Sequence, residues 1–442
     1  MQIKLVSSKG KEQKIEFIDD IGIENEVVNL YPEIEKQRLE GFGGAITDAA
    51  GYVYAQMNQD QKNRMLDMYF SDKGLDYSLV RIPMDSCDFS THMYSAMEDE
   101  KDIELETFSF YDTEKYIIPL LEDAQKRSNK SLKIMLSTWS PPKFMKTNNS
   151  RIGGGKLKEE YQKIWAKYFC KYIKEFQKRG YQIERVSIQN EPNAVQKWDS
   201  CVYTSEEEKN FLRDYLYPTF EEYSLYDIEI FIWDHNKERM FERAREVIDQ
   251  DTDCMITGVA FHWYSGDHFE ALDLVREYYP NKKLILSESC LEFSKYDRLL
   301  EEENAAKLAH DMIGNLNHGM VAFYDWNILL DENGGPNHVK NFCDAPYLFD
   351  TKEKHLIERK ILKYYWHFAH FIKSGAVRIA HTVYTEKLEV TAWKNPDNTI
   401  AVIILNRTKD ALTCFLRIQG KSAKIMIDSA SITSGLILDM KE

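Results

Sequence analysis

Short apolar runs alternate with longer amphipathic segments over most of the chain, from about residue 39 to residue 373. In the longer segments the apolar residues recur every three or four positions, which is typical of a helix that packs on one side. The apolar runs that we assign to strands are "LEGFGGAITD" (39–48), "YSLVRIPMDSCD" (77–88), "LKIMLSTWSPP" (132–142), "ERVSIQNEPN" (184–193), "IEIFIWDHN" (228–236), "ITGVAFHWYSG" (256–266), "KKLILSESC" (282–290) and "GMVAFYDWNILL" (319–330). The pattern therefore predicts eight successive strand–helix units.

Eight strand–helix units in succession favour one closed sheet. Right-handed crossovers through helices place successive strands parallel to one another, and eight such strands close a (β/α)8 TIM barrel. An open doubly wound sheet is the alternative, and it normally carries a Gly-rich phosphate loop after its first strand. Here "GFGGA" lies inside the first strand and fits that loop poorly. We therefore predict an α/β chain whose barrel spans residues 37–374.

The two ends of the chain show a different pattern. Residues 1–36 and 375–442 contain short alternating runs, among them "KLEVTAW", "TIAVIILN", "CFLRI" and "AKIMI", separated by the turns "KNPDN" and "RTKD". Alternation with a period of two predicts half-buried strands. The simplest assembly is one β-sandwich side domain that is built from both termini.

Size and charge narrow the class of partner. A chain of 442 residues exceeds the size at which one core keeps growing, and its 43% hydrophobic residues supply a large core. The formal net charge of -15 argues against nucleic acid or an anionic membrane, because either partner needs a clustered basic surface. The sequence lacks an apolar stretch of membrane-span length and an apolar signal-peptide core at its start. We therefore expect a cytoplasmic protein with no integral membrane segment.

The cysteines and histidines give no metal or disulfide pattern. The seven cysteines are odd in number and form no CxxC pair, so we expect buried free thiols rather than a disulfide framework or a zinc site. His235 and His262 lack HxH or HExxH spacing, which argues against metal ligation. Cys290, two residues beyond Glu288, is interpreted as a packed, inert thiol.

Polar and aromatic residues close each predicted strand. In a (β/α)8 barrel the reactive groups lie at the carboxyl ends of the strands. The residues at these ends are Asp48, Asp85, Asp88, Trp139, Asn190, Glu191, Trp233, Asp234, His235, His262, Trp263, Tyr264, Glu288, Asp325, Trp326 and Asn327. Strands four and seven lie on opposite sides of a small barrel, so Glu191 and Glu288 can face each other across its mouth. Two facing carboxylates in an aromatic cleft are what glycoside hydrolysis requires, one protonated and the other ionised.

Each of these residues also has a structural interpretation. A single Glu at a strand end can be a helix cap or a surface ion-pair partner, but the joint presence of "NEP" and "SES" favours the catalytic interpretation. Asp48 is different, because "TDAAG" is typical of a helix start that is capped by its Thr or Asp.

Seven segments together resemble a known family. They are "EGFGGAITDAA", "RIPMDSCDFS", "TWSPPKFMKTN", "QNEP", "FHWY", "LSESC" and "YDWNILLDENGGPNHVKNFCDAP". In order and spacing they resemble the glucosylceramidase type of glycoside hydrolase family 30. The resemblance covers the whole barrel. It is weaker at "STW", where the family has a Ser-Pro-Trp pattern, and in the loop "NAVQKWDSCVYTSEEE" after strand four.

The resemblance implies a retaining β-glycosidase that needs no cofactor or metal. It makes Glu191 the acid/base and Glu288 the nucleophile. The sugar-binding positions that the resemblance implies, with His262 of "HWY" added to the predicted set, are Asp88, Trp139, Asn190, His262, Tyr264, Trp326 and Asn341. The implied substrate is a β-glucoside that the enzyme hydrolyses from one end, with glucosylceramide-like lipids among the candidates.

The mechanism predicts the pKa of Glu191 and the distance between the two carboxyl groups. Glu191 must begin each cycle protonated, although an ordinary Glu titrates near pH 4.3. We predict that the apolar cleft and the charge of Glu288 raise the pKa of Glu191 in the free enzyme. Retention also requires the two carboxyl groups to stand about 5 Å apart, against roughly 6.5–9.5 Å for inversion.

Other functions stay open at this point. A β-xylosidase or a β-1,6-glucanase would use the same two-carboxylate chemistry on another substrate. A catalytically silent carbohydrate-binding barrel would bind sugar without cleaving it. A metal-dependent barrel hydrolase would cleave its substrate by a different mechanism. The sequence does not determine the aglycone, the choice between exo and endo action, or the oligomeric state.

Overall fold

The computed structural model describes residues 1–22 and 25–438. Four strands precede the barrel, and they are β1 (Gln2–Ser7), β2 (Glu12–Glu16), β3 (Ile18–Asp19) and β4 (Val27–Arg38). The barrel strands are β5 (Gly41–Ala45), β6 (Leu79–Met84), β7 (Lys133–Thr138), β8 (Gln182–Ser187), β9 (Glu229–Asn236), β10 (Gly258–His262), β11 (Lys283–Glu288) and β12 (Met320–Asp325). Seven of the barrel strands lie inside one of the eight apolar runs of the sequence, and β8 overlaps its run but begins two residues before it.

The eight strands form a closed parallel barrel. Each strand pairs with its sequence neighbours, and β12 pairs with β5 to close the ring. Most strand residues are buried because helices cover the outer face and side chains fill the interior. The residues that fill the interior include Leu79, Met135, Phe231, Ala260, Ile285, Ala322 and Tyr324. The predicted (β/α)8 fold is confirmed.

Helices connect the strands and pack against their outer face. They are α1 (Asp48–Tyr54), α2 (Gln59–Phe70), α3 (Tyr111–Arg127), α4 (Gln162–Lys178), α5 (Ser205–Phe211), α6 (Tyr217–Glu222), α7 (Met240–Val247), α8 (Phe269–Tyr278), α9 (Glu301–Asn317) and α10 (Lys360–Ala369). Helix α4 shows the apolar spacing of three or four positions that predicts a helix, and it buries Trp165, Phe169 and Ile173 on one face. Thr47 caps α1 by accepting a hydrogen bond from the Ala50 N–H, as "TDAAG" predicts.

A second domain combines strands from both ends of the chain. Three strands that follow the barrel lie outside this domain, and they are β13 (Leu329–Asp331), β14 (Tyr347–Asp350) and β15 (His355–Glu358). The later strands belong to it, and they are β16 (Val377–Tyr384), β17 (Leu388–Lys394), β18 (Ile400–Asn406), β19 (Leu412–Ile418), β20 (Lys421–Ile427) and β21 (Ser431–Leu438). Strands β1–β4 and β16–β21 form one ten-stranded sheet around its own apolar core. Strand β4 continues to Arg38 and so crosses the border that the sequence places between residues 36 and 37.

Two further features complete the fold. Strands β13, β14 and β15 form a small sheet after the last barrel strand, which the sequence pattern did not predict. None of the helices in residues 1–22 and 25–438 combines the length and apolar character needed to cross a bilayer.

Candidate active site

The carboxyl ends of the barrel strands surround a pocket of about 310 Å³. Its wall is formed by Asp88, Phe89, Trp139, Asn190, Glu191, Gln196, Trp198, His235, Asn236, Tyr264, Glu288, Cys290, Glu292, Lys295, Trp326, Asn341 and Cys343. Both predicted catalytic glutamates and six of the seven predicted substrate-binding residues are in this wall. The structure therefore brings residues from distant parts of the sequence to one cavity.

Glu191 is aimed into the pocket by an unusual backbone conformation. It follows β8, and its φ of 47° lies in the left-handed region that non-glycine residues rarely adopt. Its N–H donates to the Asp234 backbone oxygen at 2.9 Å, which anchors this turn to the next strand. Backbone strain of this kind persists where the surrounding structure holds it, and it clusters at functional sites.

Glu288 ends β11 on the opposite side of the pocket. Arg81 Nη1 donates to its Oε2 at 2.6 Å, and the Tyr264 hydroxyl donates to its Oε1 at 2.9 Å. Carboxylate oxygens of Glu191 and Glu288 and a ring nitrogen of His262 all lie within 4.8 Å of one another. The two glutamates thus face each other across a gap that one anomeric carbon and its leaving oxygen can occupy.

Arg81 lies at the centre of the site, below the two carboxylates. It is fully buried, and its Nη2 donates to Asp234 at 2.9 Å and to the amide oxygen of Asn190 at 2.8 Å. The second bond leaves the Asn190 NH2 as the group that faces the pocket. The aromatic rings of Trp139 and Trp326 stack on each other at 5.2 Å and both lie close to the Arg81 guanidinium. One arginine therefore contacts two carboxylates, an amide and two rings.

His262 does not line the pocket, contrary to its predicted role in substrate binding. It is fully buried behind the carboxylates, where Nδ1 lies 3.2 Å from Glu191 Oε1 and Nε2 lies 3.1 Å from Asp234 Oδ1. The pairing of β10 with β11 shifts register between Phe261 and His262, and irregularities of this kind are common at barrel rims beside active sites. The position of His262 allows it to exchange a proton with Glu191 rather than to contact the sugar.

The predicted rise in the pKa of Glu191 is wrong for the free enzyme. Burial does raise it, but the hydrogen bond from His262 and the charges of His235 and His262 outweigh burial and lower the pKa of Glu191 to about 2. Burial alone would lower the pKa of His262, yet the charge of Glu288 and the bonds to Asp234 and Glu191 raise it to about 9. At neutral pH the proton shared by this pair therefore resides on His262.

The other two carboxyl groups of the site also titrate abnormally. Burial raises the pKa of Glu288, and the charge of Glu191 adds to this effect, while His262 and Arg81 oppose it. Burial and the charge of Glu288 raise the pKa of Asp88 to about 8. Shifts in opposite directions within one cavity are typical of sites that use acid and base groups together.

Asp88 and its neighbours form the polar end of the pocket. Its Oδ2 accepts from the side-chain amide of Asn337 at 3.2 Å and from that of Asn341 at 3.4 Å. Asn341 was predicted to bind sugar, whereas Asn337 was not singled out. Asp88 and Asn341 add hydrogen-bonding atoms to a wall that also holds the rings of Trp139 and Trp326, a combination that suits a ligand with hydroxyls on its edge and C–H groups on its face.

Two groups of the described residues have the composition of a metal site. Ligand-type atoms lie within 4.8 Å of one another in Glu191, His262 and Glu288, and in Glu40, Glu184 and Glu229. Arg81 contacts the first group and Arg185 contacts the second, so each already has a buried cation. That no metal or cofactor takes part in the reaction stays a prediction.

Sequence reasoning missed Arg81 and gave Asp234 no role. The signal for Arg81 was its place inside the apolar run "LVRIPM", where an unpaired charge would be costly. Asp234 stood at a predicted strand end, and its φ of 47° repeats the conformation of Glu191. Burial raises its pKa, but the charge of Arg81 and the bond from His262 hold it well below the ordinary range.

A closed (β/α)8 barrel with two facing carboxylates at its carboxyl-end mouth, over an aromatic pocket, is the arrangement of a glycoside hydrolase. Comparison with known proteins identifies the family of glycoside hydrolases. The glycosyl hydrolase family 30 TIM-barrel domain matches residues 39–372, and the glycosyl hydrolase family 30 beta sandwich domain matches residues 375–434. The chain belongs to glycosyl hydrolase family 30 and is an enzyme that acts on O-glycosyl bonds.

Three relatives illustrate the range of the family. The lysosomal acid glucosylceramidase of Mus musculus is 30% identical over 403 residues, which cover 87% of this chain and 78% of the relative. An endo-1,6-beta-D-glucanase of Neurospora crassa is 24% identical over 411 residues, covering 89% of this chain and 83% of the relative. The crystal structure of SrfJ from Salmonella typhimurium superposes with a TM-score of 0.96 at 34% identity, covering 99% of this chain and 100% of that one.

Proposed function

We propose that this enzyme is a retaining, exo-acting β-glucosidase. The observation that carries the proposal is the close approach of Glu191 and Glu288, whose carboxylate oxygens lie within 4.8 Å of each other. Retaining glycosidases hold their carboxyl groups about 5–5.5 Å apart, whereas inverting ones leave roughly 6.5–9.5 Å for a water molecule. The short gap supports attack by one carboxylate directly on the sugar.

In the first step Glu288 attacks the anomeric carbon and forms a glycosyl ester, while the bond to the leaving oxygen breaks. Arg81 and Tyr264 each hold one oxygen of Glu288, which fixes the carboxylate for attack. Asn190 presents its NH2 to the sugar 2-hydroxyl, because its amide oxygen is occupied by Arg81. In the second step water, deprotonated by Glu191, attacks the ester and releases the sugar.

The leaving oxygen receives its proton from the pair formed by Glu191 and His262. In the free enzyme His262 holds this proton at a ring nitrogen 3.2 Å from Glu191. Transfer along that hydrogen bond makes Glu191 the neutral acid that protonates the departing oxygen. Once that proton has left with the aglycone, Glu191 is ionised and can accept a proton from water. Formation of the ester also removes the negative charge of Glu288, which favours the ionised form of Glu191 and so its role as a base.

Exo action is supported by the size of the pocket. Its volume of about 310 Å³ is at the lower end of the range for ligand pockets, which suits one sugar residue and the first part of an aglycone. A long glucan would need an open groove on both sides of the cleaved bond.

The aglycone is the part of the proposal on which relatives differ. The mouse relative is named a glucosylceramidase and the Neurospora crassa relative an endo-1,6-beta-D-glucanase. We propose a β-glucoside with a glucosylceramide-like aglycone, because the glucosylceramidase is more similar to this chain. A β-1,6-glucanase is the second candidate, favoured by the polar side chains of Gln196, Glu292 and Lys295 at the outer wall of the pocket.

A substrate panel tests the proposal. Aryl β-glycosides of glucose, xylose, galactose and fucose are compared with glucosylceramide and a β-1,6-linked glucan. We expect the glucoside and glucosylceramide to have the highest kcat/KM, with the β-anomer as the first product by NMR. A preference for the xyloside, or internal cleavage of the glucan, would contradict the assignment. The cytoplasmic location stays a prediction, which fractionation of cells that make the full chain tests.

A further inference from the structure

Two consecutive residues of the pocket wall have polar side chains that take no part in the two steps of hydrolysis. They are His235 and Asn236 at the end of β9, which we call the β9 pair. The ring of His235 lies beside the acid, since its Nδ1 is 3.9 Å from Glu191 Oε1, a distance too long for a hydrogen bond. Two polar groups next to a catalytic carboxylate are therefore left without a role.

The strand end that carries the β9 pair is irregular. In the pairing of β9 with β10 the register moves on by one residue after Trp233, so Asp234 has no partner in β10. Trp233 and Asp234 have φ values of 75° and 47°, in the left-handed region that non-glycine residues rarely adopt. Strained backbone persists where the surrounding structure holds it, and it clusters at catalytic and ligand-binding positions. The backbone that leads into the β9 pair therefore has the character of a binding segment.

The ring of His235 has one uncommitted N–H. Its Nδ1 accepts from the Asn236 backbone N–H at 2.9 Å, so the proton of the neutral ring is on Nε2. Burial lowers the pKa of His235 below its ordinary value, which keeps the ring neutral at pH 7 and charged only in acid. The ring stacks on Trp233 at 5.0 Å, and Nε2 has no hydrogen-bond partner among residues 1–22 and 25–438. This donor of the pocket wall is therefore available to a ligand.

The side-chain amide of Asn236 is uncommitted as well. Its backbone is fixed, because Trp233 Nε1 donates to the Asn236 carbonyl oxygen at 2.9 Å. Its side-chain oxygen Oδ1 is buried and has no hydrogen-bond partner in the described part of the chain. A buried polar atom without a partner costs free energy, so folded proteins keep few of them. A ligand that brings hydrogen-bonding groups to this wall would satisfy the amide.

The polar groups on the sugar side of the pocket differ from the β9 pair. Asp88, Asn190 and Glu288 accept hydrogen bonds from other protein side chains, which fix them before a ligand binds. The β9 pair lies on the side of Glu191, which protonates the leaving oxygen, so the atoms beyond that oxygen are nearest to the pair. The aglycone is therefore the part of the substrate that can complete the hydrogen bonds of the β9 pair.

We propose that the β9 pair is an aglycone-binding site, which selects β-glucosides whose leaving alcohol carries a hydroxyl or amide group near the glycosidic oxygen. The inference rests on the β-glucosidase function proposed above and narrows its substrate class. His235 Nε2 donates to the polar group of the aglycone, and the amide of Asn236 donates to it or accepts from it. A sugar aglycone and the head of a ceramide both carry such groups, whereas a plain alkyl chain does not.

Three glucosides with primary leaving alcohols test this site. They are octyl β-glucoside, whose aglycone has no further polar atom, gentiobiose, whose aglycone is a sugar, and a short-chain glucosylceramide. His235→Phe keeps an aromatic ring beside Trp233 but loses the N–H. We expect its kcat/KM on gentiobiose, on the glucosylceramide or on both to fall about five- to tenfold more than on octyl β-glucoside. Any change in the acid strength of Glu191 affects all three substrates and cancels in this ratio.

Asn236→Leu is an independent second variant, and it should shift the same ratio in the same direction. The substrate that shows the excess loss identifies the aglycone as a sugar or a ceramide. Asn341→Leu is the matched control, because Asn341 is another wall asparagine but lies at the Asp88 end of the pocket. It faces the glucose that all three substrates share, so it should lower kcat/KM on each by a similar factor.

An unchanged ratio in both His235→Phe and Asn236→Leu would overturn the aglycone site and leave the β-glucosidase function standing. A ratio that shifts equally in Asn341→Leu would also overturn it. If the wild type hydrolysed none of the three glucosides, the proposed β-glucosidase function would fail and this inference with it.

Discussion

The two mouths of the barrel carry similar charged side chains and use them differently. At the carboxyl-end mouth the acidic residues are Asp88, Glu191, Asp234 and Glu288, and their buried cations are Arg81 and His262. At the amino-end mouth the acidic residues are Glu40, Glu184 and Glu229, and their cations are Lys133, Arg185 and Lys283. Four acidic residues face two of these cations at the first mouth, whereas the numbers are equal, three and three, at the second. With Asp88 mostly protonated at neutral pH, the charged groups at the first mouth are still three negative and two positive.

This difference in charge balance explains why the carboxyl-end mouth is reactive and the amino-end mouth contributes to stability. At the amino-end mouth Arg185 bonds Glu40 at 2.7 Å and Glu184 at 2.5 Å, so its carboxylates are satisfied in their ionised form. At the carboxyl-end mouth the surplus of negative charge moves pKa values apart and leaves a proton available on His262. Carboxylates become reagents where their compensation is incomplete and a pocket gives a substrate access to them.

Glu288→Gln should produce the largest effect of this comparison. An amide cannot form the glycosyl ester, so we expect kcat to fall by about four orders of magnitude or more, with the thermal midpoint nearly unchanged. Steady-state kinetics on an aryl β-glucoside measure this. The matched change at the other mouth is Glu229→Gln, and a comparable loss of turnover there would contradict the division of roles.

Arg185→Met should have the next largest effect, on stability instead of turnover. It removes the buried cation that three partly buried carboxylates share and leaves them only Lys133 and Lys283 as partners. Because removing one partner of a fully buried pair costs about 3–5 kcal/mol, we expect a loss of about 2–3 kcal/mol here. We expect a lower thermal midpoint by calorimetry and a kcat at 25 °C within about twofold of wild type. A variant of normal stability with poor turnover would indicate that the two mouths are coupled.

His262→Asn should move the alkaline limb of the activity profile. His262 keeps the proton it shares with Glu191 until the pH rises through a pKa of about 9, so we expect the activity of the wild type to fall there. Without the imidazole that proton must reside on Glu191, and we expect the limb to move toward acid by at least about one pH unit. The limb should not move in His310→Asn, which removes another imidazole of raised pKa, bonded to Glu389.

The raised pKa of His262 also makes the stability of the fold fall as the pH rises. The raised pKa of His262 stabilises the fold fully below its unfolded value near 6.5, and this contribution is lost as the pH rises through about 9.

Glu40→Gln should give the smallest effect. Burial raises the pKa of Glu40, but the charge of Arg185 and the bond from Lys283 lower it below the ordinary value. Its ionised form therefore stabilises the fold above pH 4.5 by about 1 kcal/mol, and this is lost as the pH falls through the folded pKa. Thermal midpoints at neutral pH should differ between variant and wild type and converge in acid. A constant difference would contradict the ionic origin of the effect.

The sequence predicted the barrel and most of the pocket because both depend on local order. Apolar runs define strands, and polar residues that end parallel strands must meet at one mouth, which is why Glu191, Glu288 and Trp139 were identified. The position of His262 could not be predicted in this way. It lies beside a register shift in β10 and contacts Glu191 instead of the pocket, and its predicted role in sugar binding stays a prediction.

Contacts across the barrel interior were beyond sequence reasoning. Arg81 on β6 reaches Asp234 on β9 and Glu288 on β11, and only closure of the ring sets these distances. The wrong expectation for the pKa of Glu191 has the same origin, since it left out the imidazole behind the carboxylate. Local patterns predict which residues reach the mouth, whereas their charge states depend on neighbours from other strands.

Trapping with an activated 2-deoxy-2-fluoro-β-glucoside is the most direct test of the central claim, that Glu288 forms a glycosyl ester. The fluorine slows both steps, and the good leaving group allows the ester to accumulate. We predict one fluoroglucosyl unit per chain by intact mass, located on Glu288 by peptide sequencing and absent from Glu288→Gln. Turnover that yields the α-anomer without any adduct, or an adduct on Glu191, would contradict the account.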